Sequence, residues 1–160
     1  SGKLELYYEN QIEYDQALPT YVEALEANAN NPLAASYPLK FSQPHSRFLV
    51  HSQFSNSEWI HQVCDGPRMS ISSADAQARG LATGDVVLVR NDRGSFKVPC
   101  TVSESIRPGH VIMSEGWWPA QLVEGSLQNV TNNQMVERQA KLKYSMVIAY
   151  YDTRVEVEKA

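Results

Sequence analysis

The stretch "MSISSADAQARGLATGDVVLVRNDRGSFKVPCTVSESIRPGHVIM", residues 69–113, decides the fold of this chain. Runs of β-branched and apolar residues alternate in it with short clusters of Gly, Asn, Asp and Pro. This pattern predicts strands at 69–71, 86–91, 95–102 and 110–114, with a short helix after the first. Many short strands joined by tight turns are typical of a small closed barrel, so we expect a mainly β fold with short helices.

Single residues in this stretch mark where its elements begin and end. Ser73 is predicted to cap the short helix, and Asp75 lies in its first turn, near the positive end of the helix dipole. Gly80 is placed for the left-handed exit of the helix. The segment "NDRG", 91–94, predicts a hairpin turn in which Gly94 takes a positive φ.

The rest of the chain carries weaker patterns. They predict a strand at 3–9, a weak helix at 20–30, strands at 39–41 and 153–159, and either a strand or a loop at 48–50. Pro19, Pro32 and Pro38 mark the first third as a connecting arm. We therefore expect an arm at 1–36 that leads in from the rest of an enzyme, and a barrel domain at 37–160.

Composition limits the function classes. The 160 residues are 42% hydrophobic and 20% charged, with a formal net charge of −4, which fits one globular core. This acidity argues against a nucleic-acid-coating protein, and no apolar run is long enough to predict membrane insertion. Cys64 and Cys100 lie far apart, which favours two reduced thiols and leaves a disulfide open. The opening "SGKLELYYEN" lacks an initiator Met, which indicates a fragment or a processed chain.

One segment is free of acidic residues. Between Ala27 and Ser57 there is no Asp or Glu, although Lys40, His45, Arg47 and His51 fall inside this segment. Guanidinium, imidazole and hydroxyl groups together favour a site for phosphate oxygens. The alternative is a solvated loop with surface histidines.

Three further elements could contact a ligand. Asp75 could read the paired donors on the Watson–Crick edge of guanine, although an Asp is also favoured in a first helical turn for dipole reasons. The turn "SEGWWP" at 114–119 could lay Trp117 against a flat heterocycle, or Trp117 could be an ordinary core residue. Asn129, in "LQNVTNN", could read a polar ring edge or simply form a turn.

Common catalytic arrangements are missing from the sequence. His51 and Ser52 are adjacent and would point to opposite faces of a strand, so they do not form a base–nucleophile pair. The four histidines do not show the spacing of a zinc site, and no phosphate loop of the G-x-x-x-x-G-K type is present. The sequence therefore favours binding over catalysis.

Taken in order, these segments resemble a known domain. They are similar to the C-terminal molybdopterin-dinucleotide-binding domain of the dimethyl sulfoxide reductase family of molybdopterin oxidoreductases. The stretches that carry the resemblance are "SGKLELYYE", "YPLKFSQPHSRFLVHSQFSN", the block "SISSADAQARGLATGDVVLVRNDRG" with its sequel to "SEGWWP", and "YDTRVEVEK". The resemblance covers nearly the whole chain and implies a double-psi β-barrel. Ser72 departs from the pattern, since an Asn is common there, and so does Leu49, where relatives often carry a basic residue.

The resemblance also implies a cofactor and its contacts. The cofactor would be bis-molybdopterin guanine dinucleotide with Mo or W, held jointly with the rest of the enzyme, and this chain would supply no ligand to the metal and no catalytic residue. The residues implied near the pterins and pyrophosphate are His45, Arg47, His51, Ser52, Gln53, Trp117 and Asn129. Asn56 and Asp75 would lie near a guanine.

The resemblance implies partners as well. These are the remaining domains of the same prokaryotic-type oxidoreductase (an anaerobic dehydrogenase, for example) and an iron–sulfur electron-transfer subunit. No nucleic acid is expected, and a cytoplasmic or periplasmic location stays open. The alternatives are a free-standing accessory subunit or a protein-binding adaptor barrel without cofactor, because such barrels also serve as binding modules.

Overall fold

The helices and strands of the chain are short. The computed structural model describes residues 2–18, 20–21, 23–133, 148–149 and 151–160, and of Tyr14 only the backbone. The strands are β1 (Leu39–Ser42), β2 (Met69–Ser72), β3 (Val86–Arg90), β4 (Ser95–Ser103), β5 (His110–Ile112), β6 (Glu124–Gly125) and β7 (Thr153–Lys159). The α-helices are α1 (Glu58–His61) and α2 (Ser73–Ala78), and 3₁₀ turns span Glu9–Tyr14, Pro32–Ala35, Pro119–Gln121 and Leu127–Asn129. Among the helices of these residues, none has the length and apolar character to cross a membrane.

Six of the strands close into a barrel. The hydrogen-bonded order is β2-β5-β1-β7-β3-β4, and pairing of β2 with β4 closes the ring, while β6 adds to the outer edge of β4. The pairs β1–β5 and β2–β4 are parallel, and the other described pairs are antiparallel. Two parallel pairs within one closed ring confirm the double-psi β-barrel predicted from the sequence.

The barrel core follows from the alternation of β3 and β4. Every second residue of these strands points inward, and Val87, Val89, Phe96, Val98 and Cys100 are all buried. Phe96 meets the ring of Phe41 from β1 at a centroid distance of 6.3 Å, which joins opposite walls of the barrel. Cys100 and Cys64 are both free thiols, and burial raises the pKa of the Cys100 thiol.

Two of the predicted elements in the first third are wrong. The predicted strand at 3–9 is absent: residues 2–8 are in no strand, Leu4 and Leu6 are exposed, and a 3₁₀ turn begins at Glu9. The predicted helix at 20–30 is absent from the described residues of that range. The backbone N–H groups of residues 25–27 donate to the Asp152 carboxylate instead of to preceding carbonyls, so a tertiary contact replaces the helical bonds.

Two single-residue predictions in the central stretch are also wrong. The cap of α2 is Ser72, whose Oγ accepts from the N–H of Asp75, whereas the Ser73 Oγ donates to Glu104. Gly94 does not take a positive φ. A Cβ at this glycine would lie 3.1 Å from the Cβ of Asn129, so close packing, not backbone conformation, suits glycine here. The left-handed exit at Gly80 is confirmed, with φ +62°.

Polar contacts of Asp152, Arg93 and Arg154 with residues 25–28 hold the arm against the barrel, and we call these contacts the latch. The Asp152 carboxylate accepts the N–H groups of residues 25–27, at 2.6–3.1 Å. Arg93 makes a two-point ion pair with Glu26, which raises the pKa of the Arg93 guanidinium. Arg154 is almost fully buried. Its guanidinium donates to backbone carbonyls of the arm and of the two residues before β1, which are those of Glu26, Ala27, Asn28, Tyr37 and Pro38. Residues 25–28 are thus packed against the barrel as one of its parts.

Candidate functional site

A cleft opens where β1 and β5 leave the barrel together. Because these strands are parallel, the segments that follow them begin at the same end. The pairing continues past the strands, since the Met113 N–H donates to the Ser42 carbonyl and the Glu115 N–H donates to the Pro44 carbonyl. The segment 43–53 and the segment 114–119 therefore run side by side over this end.

Gly116 sets how closely the two segments approach. Its φ is +94°, and a Cβ built on it would lie 1.9 Å from the carbonyl oxygen of His51. His51 itself takes a left-handed conformation, φ +51°, which is uncommon for a residue with a side chain. Only glycine at 116 allows the His51 backbone to lie this close, so the two loops share one tightly packed junction.

This junction brings an acid to the acid-free segment. The Glu115 Oε1 lies 2.9 Å from the Nδ1 of His45 and 2.7 Å from the Nδ1 of His51. The two imidazole rings meet edge to face, with centroids 5.1 Å apart. Both histidine side chains are mostly exposed, whereas that of Glu115 is largely covered. The carboxylate thus holds both rings at the mouth of the cleft.

The cleft beside this junction has a volume of about 560 Å³. Its lining includes His51, Ser52, Gly116, Trp117, Trp118 and Thr131. Trp117 is buried, with its indole N–H donating to the Ser114 Oγ, whereas Trp118 is 57% exposed. On the floor, Gln43 donates to the Thr131 hydroxyl. The cleft therefore combines an aromatic wall with hydroxyl, amide and imidazole groups, which suits a flat polar molecule.

Some predicted residues lie on this loop but outside the cleft lining. Arg47, Gln53 and Asn56 are exposed, and the Arg47 guanidinium lies 5.8 Å from the ring centroid of Phe48. Leu49, at the position where the resemblance led us to look for a basic residue, is buried in the core. The structure thus brings His51, Ser52 and Trp117 together in the cleft, with His45 at its mouth.

Asp75 lies at the other end of β5. Its Oδ2 accepts from the Ser72 hydroxyl at 2.6 Å and from the Gly109 N–H at 2.7 Å, just before β5 begins. Its Oδ1 lies 3.8 Å from the Arg79 guanidinium. Asp75 therefore fixes α2 against the start of β5, and it does not line the cleft at the end of that strand.

His110, the first residue of β5, lies near Asp75. Burial lowers the pKa of the His110 imidazole, the charges of Lys40 and Arg107 lower it further, and the Asp75 carboxylate opposes them. The buried Nδ1 of His110 has no hydrogen-bond partner among the described residues. The surroundings at this end of the strand therefore disfavour the protonated form of the His110 imidazole.

Asn129 lies near the cleft without lining it. Its side-chain amide donates to the Ser95 carbonyl, and its Cβ packs against Gly94. This contact joins the 3₁₀ turn Leu127–Asn129 to the β3–β4 hairpin. Val130, Thr131 and Asn132, which follow, are buried.

Two residues of the site, Gln43 and Glu115, were not singled out as candidates from the sequence. Glu115 lies 64 residues from His51, so no local spacing could reveal that they meet. The only available signal was the turn "SEGWWP", in which a glycine precedes two tryptophans.

Comparison with known proteins places these observations in a family. The family model described as "Molydopterin dinucleotide binding domain" matches residues 39–149. A putative catalytic subunit of dimethyl sulfoxide reductase from Halobacterium salinarum is 34% identical over 171 residues, covering 100% of this chain and 20% of that protein. A dimethyl sulfoxide/trimethylamine N-oxide reductase of Cereibacter sphaeroides is 36% identical over 124 residues, covering 74% of this chain and 15% of that protein.

A solved structure shows the same fold. Acetylene hydratase from Pelobacter acetylenicus superposes with a TM-score of 0.79 at 19% identity, covering 99% of this chain and 24% of that chain. The chain spans a fifth or less of the two curated relatives. On the match to residues 39–149, the chain belongs to the molybdopterin-dinucleotide-binding domains of the dimethyl sulfoxide reductase family.

Proposed function

We propose that this chain is the cofactor-binding part of a molybdenum or tungsten oxidoreductase, and that it holds a molybdopterin guanine dinucleotide. The observation that carries the proposal is the cleft built by the segments 43–53 and 114–119 at one end of the family's barrel. The cofactor supplies two-electron chemistry at its metal when bound. The residues of this chain would bind and orient it and keep water away from it.

The residues present fit such a group. A volume of about 560 Å³ is in the range of small-molecule sites, roughly 300–1,000 Å³. Trp117 and Trp118 offer apolar surface to a flat ring, and Ser52 and His51 offer hydrogen bonds to its polar edge or to phosphate oxygens. Glu115 is the one acid among the lining residues that the structure describes, and its Oε1 lies within 2.9 Å of the Nδ1 atoms of two imidazoles. Its negative charge therefore opposes an anion less than a free carboxylate would.

The guanine contact is a separate part of the proposal. A dinucleotide is an extended molecule, so its pterin end and its guanine end can contact places as far apart as the two ends of β5. We propose that the pterin end lies at the cleft and the guanine near Asp75 and Asn56. The hydrogen bonds that Oδ2 of Asp75 already accepts leave mainly Oδ1 for a guanine donor.

The partners are proposed on the basis of surface chemistry. Large apolar side chains are exposed on the loop from 48 to 63, among them Phe48, Phe54 and Trp59. Several exposed large apolar side chains on one loop favour a contact with another protein surface. Because the chain spans a fifth or less of its curated relatives, we propose that the remaining domains of the same enzyme cover this loop. An iron–sulfur electron-transfer subunit is the further partner that we propose for the whole enzyme.

The test is nucleotide binding followed by amide chemical shifts. GDP, with ADP as the matched control, is added to the purified chain. We expect GDP to shift the amides of residues 72–75 and of the cleft loops more than ADP does, because only guanine presents two adjacent donors. Equal responses to the two nucleotides would refute guanine selection. Shifts outside these regions would refute the site.

The cleft itself is tested with a pair of aromatic variants. Trp118→Ala removes an exposed indole from the cleft, and Tyr21→Ala removes an exposed ring from the arm, outside the cleft and the loop 48–63. In the full-length enzyme we expect Trp118→Ala to lower bound molybdenum or tungsten per protein and Tyr21→Ala to leave it unchanged. An unchanged metal content in both variants would contradict the cleft as the place of the cofactor.

A further inference from the structure

The mouth of the cleft holds three metal-ligand side chains that no local sequence spacing connects. The ligand atoms of His45, His51 and Glu115 all lie within 4.8 Å of one another. We propose that these three residues bind a divalent transition-metal ion such as Zn²⁺ at the mouth of the cleft. From the sequence we expected no metal site, because the histidine spacing alone shows none. The third ligand comes from the loop after β5.

The distances favour coordination. Zn²⁺ binds imidazole nitrogen and carboxylate oxygen at about 2.0–2.2 Å, which puts tetrahedral ligand atoms about 3.3–3.5 Å apart. The Glu115 Oε1 lies 2.9 Å from the Nδ1 of His45 and 2.7 Å from the Nδ1 of His51. Side-chain rotations must lengthen these two contacts by about 0.4–0.8 Å. They must also bring the two imidazole nitrogens, which lie within 4.8 Å of one another, to the same spacing. Two imidazoles and one carboxylate are also a ligand set that Zn²⁺ uses in sites with an open position.

The backbone around the cluster is already fixed. The Glu115 N–H donates to the carbonyl of Pro44, which directly precedes His45. Gly116, next to Glu115, packs against the His51 carbonyl. Each ligand is therefore held by a contact that involves the loop of another ligand. An ion would have to order only side-chain torsions, so little of its binding free energy would be lost in ordering the chain.

The cluster is accessible and has room for a further ligand. The side chains of His45 and His51 are 65% and 67% exposed, and His51 and Glu115 also line the cleft. A fourth position can therefore be filled by water or by an oxygen of a molecule in the cleft. Such exposure predicts a modest affinity, with a dissociation constant on the order of 10 μM. The proposal does not depend on the cofactor proposal, since it concerns the chain alone.

The test is titration of the purified, metal-free chain with Zn²⁺ at pH 7.5 by isothermal calorimetry. We expect one ion per chain. Glu115→Gln keeps the size of the side chain but removes its charge, and His51→Gln removes a ring, so each should weaken binding more than about tenfold. His61→Gln is the control, because His61 is exposed but hydrogen-bonds the Ser55 carbonyl outside the cluster. This variant should bind as the native chain does.

A second measurement keeps the test decisive if a variant folds poorly. Co²⁺ added to the native chain should give visible absorption bands of a nitrogen- and oxygen-ligated ion. Amide shifts caused by Zn²⁺, which is diamagnetic, should be confined to 43–53 and 113–118. Binding that Glu115→Gln and His51→Gln leave intact would overturn the proposal. So would stoichiometric binding that is lost equally in His61→Gln, or no binding by the native chain at 1 mM Zn²⁺, about a hundred times the expected dissociation constant.

Discussion

At the residue scale, Gly116 is required for two reasons, its positive φ and its close packing against His51. A comparison with Gly109, which has only the positive φ, separates the two effects. Gly116 and Gly109 both take positive φ, +94° and +81°, so alanine at either position is strained. A Cβ at 109 meets no atom within 4 Å, whereas a Cβ at 116 would lie 1.9 Å from the His51 carbonyl oxygen. The comparison of the two variants therefore isolates the close approach of the two cleft loops.

We expect Gly109→Ala to lower the free energy of unfolding by about 1 kcal/mol and Gly116→Ala to lower it by at least about 2 kcal/mol. Urea denaturation measures both values. Amide shifts of residues 45–53 should change in Gly116→Ala and stay near the native values in Gly109→Ala. Equal losses of stability, with the loop shifts unchanged, would show that the loops do not depend on this junction.

Also at the residue scale, His110 makes stability depend on pH. Burial, Lys40 and Arg107 lower the pKa of its imidazole below the ordinary value near 6.5, against the opposing Asp75 carboxylate. The unfolded chain therefore binds more protons than the folded chain just below pH 6.5, and stability falls as the pH drops through that range.

We expect the free energy of unfolding to fall less between pH 7.5 and pH 5.5 in His110→Gln than in the native chain. Urea denaturation at the two pH values measures this difference, and the other three histidines are common to both proteins. An imidazole resonance of His110 that titrates at or above 6.5 would contradict the prediction.

At the element scale, the N-cap of α2 is Ser72 and not its neighbour Ser73. Two adjacent serines precede the helix, and either could cap it from sequence alone. The Ser72 Oγ accepts from the Asp75 N–H at 3.1 Å and is buried, whereas the Ser73 Oγ contacts Glu104 on the surface. We expect Ser72→Ala to cost about 1–2 kcal/mol and Ser73→Ala less than about 0.5 kcal/mol, measured by urea denaturation. The reverse order would show that the cap lies one residue later.

The elements that could be predicted from the sequence are those that local pattern determines. In β4, Phe96 and Val98 alternate with Ser95 and Lys97, and this alternation specifies the strand because inward side chains must be apolar. In β3 the signal is instead a run of β-branched and apolar residues at 86–89. The predicted helix at 20–30 fails for the opposite reason. Its N–H groups find a partner in Asp152, more than a hundred residues later, which no window of local sequence contains.

At the scale of the whole molecule, barrel closure decides which side chains meet in the site. The sequence showed His45, His51 and Trp117 as separate candidates. Parallel pairing of β1 with β5 then brings their loops together. The same pairing places Glu115, on the loop after β5, against His45 and His51 of the acid-free segment. Arg47 was expected in the site because of its charge, yet it lies outside the cleft lining, since charge alone does not specify the direction of a side chain.

The contacts of the arm also determine at which residue the folding unit begins. The sequence predicts a barrel at 37–160 behind a separate arm, but Asp152 and Arg154 hold residues 25–28 through hydrogen bonds to the backbone. We predict that the free energy of unfolding of a chain of residues 20–160 lies within about 0.5 kcal/mol of that of the full chain, because residues 2–10 are all exposed.

A chain of residues 37–160 should lose about 2–4 kcal/mol in urea denaturation. Hydrogen bonds to charged groups contribute roughly 1.5–3 kcal/mol each, and part of that gain is offset by the entropy of ordering the arm. Without the arm, the buried Arg154 guanidinium keeps only the carbonyls of Tyr37 and Pro38, and the Asp152 carboxylate loses the three N–H groups of residues 25–27. Asp152→Ala in the full chain should reproduce part of the loss, because it removes the contacts to the N–H groups of residues 25–27 and keeps those of Arg93 and Arg154. If the 37–160 chain were instead as stable as the 20–160 chain, the latch would only dock a linker, and the barrel would fold without it.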